Sequence, residues 1–199
     1  MTAAKKLSLI SVGDYLSGEL ISTVKHEYLG GFVYAMAGAR NNHNTIAGNI
    51  FAGLHQRLRG RRCRPCNSDT KIRIRLPSQL RFYYPDVSVT CRPNPPTDSF
   101  QDDPILIVEV LTPKTRRIDE GEKREAYLKI PSLCVYLLVE QDAPLIVALR
   151  RHEQGFVREV YEGLDAVIPL SEIETVLPLA EVFETVEFSP EVESDDEND

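Results

Sequence analysis

The run Ile105-Leu106-Ile107-Val108-Glu109-Val110-Leu111 places one carboxylate inside an otherwise apolar segment. Such a run lacks the polar alternation of a half-exposed strand, and it predicts a central strand that is buried on both faces. A second acid, Asp86, stands between Tyr83-Tyr84-Pro85 and the run Val87-Ser88-Val89. An ionised carboxylate in these surroundings is costly unless a cation or several hydrogen-bond donors share its charge. Asp86 and Glu109 are therefore the first candidates for a functional site.

Two acidic side chains on neighbouring strands suit a divalent metal ion. Mg²⁺ takes oxygen ligands and keeps several water molecules for chemistry. The alternative is that each carboxylate lies at an exposed strand end or pairs with an arginine. Because two such acids occur in two β-rich runs, we favour a metal site at Asp86 and Glu109.

The composition is that of a globular protein. With 199 residues and 42% hydrophobic content, the chain can form one domain with a sizeable core. No apolar run approaches the roughly 20 residues of a membrane span, and the N-terminal residues 1–6 lack the apolar segment of a signal peptide. We therefore expect a soluble, cytoplasmic protein.

The net charge of −7 comes from the C-terminal end of the chain. Residues 187–199 contain seven acids and no base, whereas residues 1–186 carry 23 side chains of each sign. This division predicts one domain over residues 1–186 and an acidic, disordered tail over residues 187–199. Within the domain, the segment from Arg40 to Arg81 holds ten bases against Asp69 alone, which could form a face for phosphate groups. The same arginines could equally be solvent-exposed side chains of one helix and one hairpin with no binding role.

Four cysteines, Cys63, Cys66, Cys91 and Cys134, are candidates for metal binding or redox chemistry. A single Cys-x-x-Cys without a second pair is weak evidence for zinc, and its place after a helix does not match a βαβ redox pattern. We expect all four to be reduced thiols.

Turn and cap residues divide the chain into helix, hairpin, helix, strands, helix and strands. Ser11 can begin a short helix, and Gly30-Gly31 can turn two strands within residues 25–37. Asn44 can cap a long helix that reaches Gly60, and Pro131 follows a charged helix over residues 116–130. Further strands are predicted at residues 70–76, 82–91, 105–111, 133–139, 144–150 and 156–161. This order predicts an α/β fold with a mixed central sheet flanked by helices.

Several short motifs follow one another in a characteristic order. Pro85-Asp86 is followed 23 residues later by Glu109 in its apolar strand. The other motifs are His26-Glu27-Tyr28-Leu29-Gly30-Gly31, His43, Tyr84-Pro85-Asp86-Val87-Ser88-Val89, residues 107–115, Asp119, Lys123, Tyr127 and residues 135–139. Over residues 7–185 this series resembles the Uma-type family of putative restriction endonucleases, within the PD-(D/E)XK nuclease superfamily.

The resemblance implies a restriction-endonuclease-like fold and metal-dependent hydrolysis of DNA. Mg²⁺ or Mn²⁺ would be the cofactor, and a homodimer is a possible assembly. By the same resemblance Asp86 is the bridging metal ligand, Glu109 is the second ligand, and the backbone carbonyl of Val110 is an additional one. Glu27 matches the acid that the family presents from its N-terminal region.

One departure from the superfamily concerns its catalytic lysine, which would fall at Leu111. Lys123 on the next helix is predicted to replace it and to stabilise negative charge at the scissile phosphate. The alternative for Lys123 is a surface pair with Asp119 at i,i+4 spacing. His43 could position a phosphate or support the start of its helix. The competing hypothesis for the whole chain is a nucleic-acid-binding or regulatory protein that keeps the nuclease fold but has little catalysis.

Overall fold

The computed structural model describes residues 9–36 and 38–188. Its helices are α1 (Val12–Glu19), α2 (Asn41–Leu58), α3 (Arg116–Ile118), α4 (Arg124–Tyr127) and α5 (Leu179–Val182). A π-helical turn, Asp119–Lys123, joins α3 to α4, and a 3-10 turn covers Ser171–Ile173. No helix in these ranges is long and apolar enough to cross a membrane. Residues 189–199 of the predicted tail lie outside the described part of the chain.

The strands of the described residues form three sheets. They are β1 (His26–Leu29), β2 (Phe32–Ala35), β3 (Arg64–Asn67), β4 (Lys71–Leu76), β5 (Gln79–Tyr83), β6 (Val87–Thr90), β7 (Phe100–Gln101), β8 (Pro104–Leu111), β9 (Val135–Glu140), β10 (Leu145–His152), β11 (Gly155–Glu162), β12 (Val167–Leu170) and β13 (Thr175–Pro178). One sheet has the order β11-β10-β9-β8-β6-β3, a second has the order β2-β1-β5-β4-β7, and β12 pairs with β13.

Strand β8 lies inside the six-stranded sheet, antiparallel to β6 and parallel to β9. Every residue from Leu106 to Leu111 is buried, as the continuous apolar run predicts. The predicted mixed α/β fold is therefore confirmed. Its strands divide among three sheets instead of one, because β1, β2, β4 and β5 pair with one another and with β7.

The two faces of β8 pack against different layers because side chains alternate along a strand. Leu106, Val108 and Val110 join the core cluster that contains the apolar stripe of α2. Ile107 and Leu111 join a second cluster that contains Tyr127 of α4. By this alternation Glu109 faces the second layer, under the segment from α3 to α4.

The local predictions around the first hairpin and the long helix agree with the structure, with one correction. Gly30 and Gly31 turn β1 into β2 at φ 57° and 107°, a region that glycine adopts without a Cβ clash. The long helix α2 begins at Asn41, with Arg40 at the N-cap, so the predicted cap at Asn44 was wrong. As a consequence His43 lies in the first turn of α2.

The expectation of four reduced cysteines was wrong for two of them. Cys63 and Cys91 form a disulfide, whereas Cys66 and Cys134 are free. Strands β3 and β6 are antiparallel, and Arg64 stands opposite Thr90. One step further along this register brings Cys63 opposite Cys91. The sequence spacing of 28 residues gives no sign of this pairing, which depends on the strand register.

We expect reduction of this disulfide to destabilise the fold. A cross-link that closes a loop of 28 residues restricts the unfolded chain and stabilises the folded one by about 3 kcal/mol. Urea unfolding with and without a reducing agent measures the difference. Cys63→Ser should reproduce the loss in the absence of reductant, while Cys66→Ser and Cys134→Ser serve as matched controls. Identical unfolding midpoints for the oxidised and reduced protein would contradict the assignment.

Candidate active site

Asp86 and Glu109 are brought together by the pairing of β6 with β8. Val87 stands opposite Val108 in this antiparallel pair, and one step further the register places Asp86 opposite Glu109. Asp86 directly precedes β6, so this extension of the register brings it beside β8 at Glu109 and Val110. The backbone N–H of Val110 also donates a hydrogen bond of 2.7 Å to Asp86 Oδ2. Asp86, Glu109 and Val110 therefore lie at one place on the sheet.

Lys123 is the centre of a buried charged cluster. Its Nζ lies 3.0 Å from Glu27 Oε1, 3.2 Å from Glu109 Oε1 and 3.4 Å from Asp119 Oδ1. We call these four residues the lysine–carboxylate cluster. Lys123 is 6% exposed, Glu109 3% and Asp119 2%. Lys123 and Asp119 therefore do form a pair, but it is buried and not exposed to solvent as the alternative predicted.

Three separate elements supply this cluster. Glu109 comes from β8, Glu27 comes from β1, and Asp119 and Lys123 come from the two ends of the π-helical turn. The Tyr136 hydroxyl on β9 donates a 3.0 Å hydrogen bond to the backbone carbonyl of Asp119, which fixes the turn to the sheet. Single π-helical turns inside helices are frequent at functional sites.

Hydrogen bonds orient the two carboxylates of the predicted metal site. Glu109 Oε1 accepts bonds from Lys123 Nζ at 3.2 Å and from the Tyr127 hydroxyl at 3.0 Å. Asp86 Oδ2 accepts the Val110 N–H and lies 3.2 Å from His43 Nε2. One oxygen of each carboxylate thus takes these contacts, which leaves Oε2 of Glu109 and Oδ1 of Asp86 for another ligand.

The cluster contains three carboxyl groups and one ammonium group, so the single positive charge cannot balance all three acids if they are ionised. Burial raises the pKa of Glu109 well above its usual range, although the charge of Lys123 acts in the opposite direction. The pKa of Asp119 is also raised, again chiefly by burial. Burial alone would lower the pKa of Lys123, but the charges of Glu109, Glu27 and Asp119 outweigh it and hold that pKa well above its usual range. These neighbouring charges favour the protonated ammonium form of Lys123.

His43 supports Asp86 from the other layer. Burial lowers the pKa of its imidazole, but the hydrogen bond and the charge of Asp86 raise it by more. The net result is a raised pKa, which favours the protonated ring beside the carboxylate. His43 thus both stands at the start of α2 and contacts a predicted metal ligand.

The donor chemistry fits a hard divalent cation. Glu27 Oε1 and Asp119 Oδ1 are buried oxygens that contact Lys123 Nζ as ion pairs but make no well-formed hydrogen bond. Carboxylate oxygens are the ligands that Mg²⁺ and Mn²⁺ prefer, and excess buried negative charge favours their binding. With Lys123 in its place, however, no three His, Cys, Asp or Glu side chains of the described residues are arranged to hold a metal ion.

The structure thus gathers the residues that the sequence singled out, Asp86, Glu109, Val110, Lys123 and Glu27, around one point. Sequence reasoning missed that Asp119 and Tyr127 contact the same groups. Their signal was available in the chain, because Asp119, Lys123 and Tyr127 recur at intervals of four residues, which is the spacing of one helix face.

The basic segment from Arg40 to Arg81 does not form a single phosphate-binding face. Five of its arginines pair with carboxylates in different parts of the fold. Arg57 and Arg61 contact Glu181 and Glu174, whereas Arg73 and Arg75 share Asp102 and Arg81 contacts Glu122. Two surface cavities of the described residues are lined in part by Arg57, one together with Glu174 and the other together with Glu181.

Comparison with known proteins agrees with this fold. The model of the Uma2 family, described as putative restriction endonuclease, matches residues 14–180. The uncharacterized protein slr1290 of Synechocystis sp. is 37% identical over 147 residues, which are 73% of this chain and 76% of that protein. The uncharacterized protein sll1609 of the same organism is 31% identical over 144 residues, 71% of this chain and 80% of that protein.

A solved structure shares the fold. The crystal structure of a putative nuclease belonging to DUF820 from Anabaena variabilis has a TM-score of 0.65 and 17% identity. The match covers 81% of this chain and 91% of that one. The family resemblance inferred from the motifs is confirmed, because the family model spans most of the chain. The protein belongs to the Uma2 family of putative restriction endonucleases.

Proposed function

We propose that this protein is a metal-dependent endonuclease that hydrolyses phosphodiester bonds in DNA. Its family and its fold support nuclease function in general. The observation that carries the finer proposal is the placement of Asp86 opposite Glu109, beside a buried lysine that three carboxylates surround. Such a set of groups can bind a divalent cation and a phosphate together.

In this proposal Asp86 and Glu109 hold Mg²⁺ or Mn²⁺, with the backbone carbonyl of Val110 as a further ligand. The cation supplies Lewis-acid chemistry and an activated water when it is bound. His43 and the Val110 N–H fix Asp86 through Oδ2, and Tyr127 fixes Glu109 through Oε1. The free oxygens of both carboxylates are thereby held in defined positions.

Lys123 is the candidate for stabilising charge on the phosphate. Its ammonium is held beside Glu109, so a phosphodiester bound at the metal ligands comes within reach of Nζ. With a cation bound at Asp86 and Glu109, Glu109 would hold Lys123 less strongly, and the ammonium donors of Lys123 would be available to the phosphate oxygens. Donors that meet charge developing in the transition state contribute more to turnover than to binding. Glu27 would keep Lys123 in position.

A nucleic-acid-binding protein with little catalysis is the competing candidate. It is favoured by the engagement of Lys123 with three carboxylates and by Leu111 at the usual lysine position. Hydrolysis of plasmid and linear DNA with Mg²⁺, with Mn²⁺ and with EDTA separates the two. Cation-dependent cleavage supports the endonuclease, whereas binding without cleavage under all conditions supports the competing candidate.

We expect Asp86→Asn and Glu109→Gln each to weaken Mn²⁺ binding by about 10-fold or more, because each removes a charged ligand. Isothermal titration of the purified protein with MnCl₂ measures this without any substrate. Glu153→Gln, which removes an exposed acid from the turn between β10 and β11, is the matched control. Equal Mn²⁺ affinity in wild type and both site variants would remove these carboxylates from the metal site.

Lys123→Met is expected to lower turnover by about 10²-fold while DNA affinity changes little. The same change should lower the free energy of unfolding in EDTA by about 3 kcal/mol, because it leaves the buried carboxylates of Glu109 and Asp119 without their cation. Mg²⁺ should restore part of this stability. Lys129→Met, at an exposed position just after α4, is the control. Unchanged turnover in Lys123→Met would exclude Lys123 from the mechanism.

A further inference from the structure

Two exposed aromatic rings stand on the strand next to Glu27. Phe32 is 44% exposed and Tyr34 is 54% exposed, and both belong to β2 at the edge of the five-stranded sheet. Every other Phe and Tyr within residues 9–36 and 38–188 is less exposed than these two. The exposed aromatic surface of the described chain is therefore concentrated at one strand.

The strand register places both rings on the face that carries the candidate active site. Tyr34 stands directly opposite Glu27, and Phe32 stands opposite Leu29, in the antiparallel pair of β1 and β2. Opposite residues of such a pair point to the same face, with Cβ atoms roughly 5 Å apart. Glu27 contacts Lys123 at 3.0 Å, and Leu29 packs against the second core cluster under α4. Tyr34 thus stands directly beside Glu27, which is a member of the lysine–carboxylate cluster.

The spacing of the two rings suits flat ligands. Residues two apart on a strand are about 6.8 Å apart, because each residue advances the chain by about 3.4 Å. Successive bases of a nucleic acid strand are also about 3.4 Å apart. The separation of the two residues is therefore about twice the spacing of stacked bases, so a base can stack on either ring or enter between them. Base–aromatic stacking is tolerant of sequence, because every base has a flat face.

We propose that Phe32 and Tyr34 stack with unpaired bases next to the phosphodiester bond held at Asp86 and Glu109. This inference rests on the proposed nuclease function and names its substrate class, a DNA strand that is unpaired beside the cleavage site. Bases in a duplex present only their edges in the grooves, so rings on a strand edge cannot stack on them unless the duplex opens. Single-stranded DNA or the unpaired arm of a branched duplex meets this requirement.

The test measures binding in EDTA, where metal-dependent cleavage does not occur. The probe is a short deoxyoligonucleotide that contains 2-aminopurine, either single-stranded or annealed to its complement. We expect wild-type protein to bind the single strand more tightly and to change the 2-aminopurine fluorescence. Phe32→Leu and Tyr34→Leu should each weaken this binding by about 10-fold, because stacking on one ring is lost. Phe32→Tyr and Tyr34→Phe keep a ring and should retain it.

Val160→Ser, which changes an exposed apolar residue on the edge strand β11, is the control for general surface effects. Tighter binding of the duplex, or equal affinity for the single strand in wild type and both leucine variants, overturns the inference. The inference is also overturned if the free protein self-associates and if Phe32→Leu and Tyr34→Leu abolish this self-association, because the rings would then serve a protein interface.

Cleavage assays are read separately. Equal DNA cleavage by wild type and both leucine variants refutes the stacking proposal alone. Binding that the leucine variants weaken, without any DNA cleavage, refutes the proposed nuclease function alone.

Discussion

The ion contacts of Lys123 with the buried Glu109 and Asp119 and the half-buried Glu27 are the constraint on which the site depends. Glu27, Glu109 and Asp119 come from β1, β8 and the π-helical turn, and a single ammonium group lies between them. Charges this deep in a fold are stable only while each has a partner. The cluster therefore ties the hairpin and the α3–α4 segment to the central sheet, and it ties the position of each acid to that of the lysine.

In the proposed nuclease, the same cluster supplies a lysine beside Glu109 although Leu111 stands two residues further along the strand. Leu111 belongs to the second core cluster and packs with Tyr127 and Tyr136. A lysine there would lose this packing, and its ammonium would need a new partner. Lys123 reaches Glu109 instead from the helical segment that covers this face of β8, through its π-helical turn. In the proposed function, the ammonium group beside Glu109 therefore comes from the helical segment and not from β8.

Much of the fold followed from the sequence because its signals were local. The continuous apolar run around Glu109, the glycines at the first turn and the helical spacing of Ile46, Ile50 and Leu54 each predict one element. The division into three sheets and the Cys63–Cys91 disulfide depend on strand register, which no local pattern records. In the site, the motif series identified Asp86, Glu109, Lys123 and Glu27. The burial of the Asp119–Lys123 pair and the contact of Tyr127 with Glu109 were not predicted, although the spacing of these residues places them on one helix face.

The most direct test of the account is a crystal structure of the protein soaked in MnCl₂, with anomalous diffraction recorded at the manganese edge. We expect one anomalous peak in contact with both Asp86 and Glu109, with Lys123 Nζ drawn away from Glu109. The contrary result is a map without a peak between these two carboxylates, in which Lys123 keeps its three contacts at saturating MnCl₂. That result would leave the cluster as a structural ion pair and remove the basis for metal-dependent cleavage.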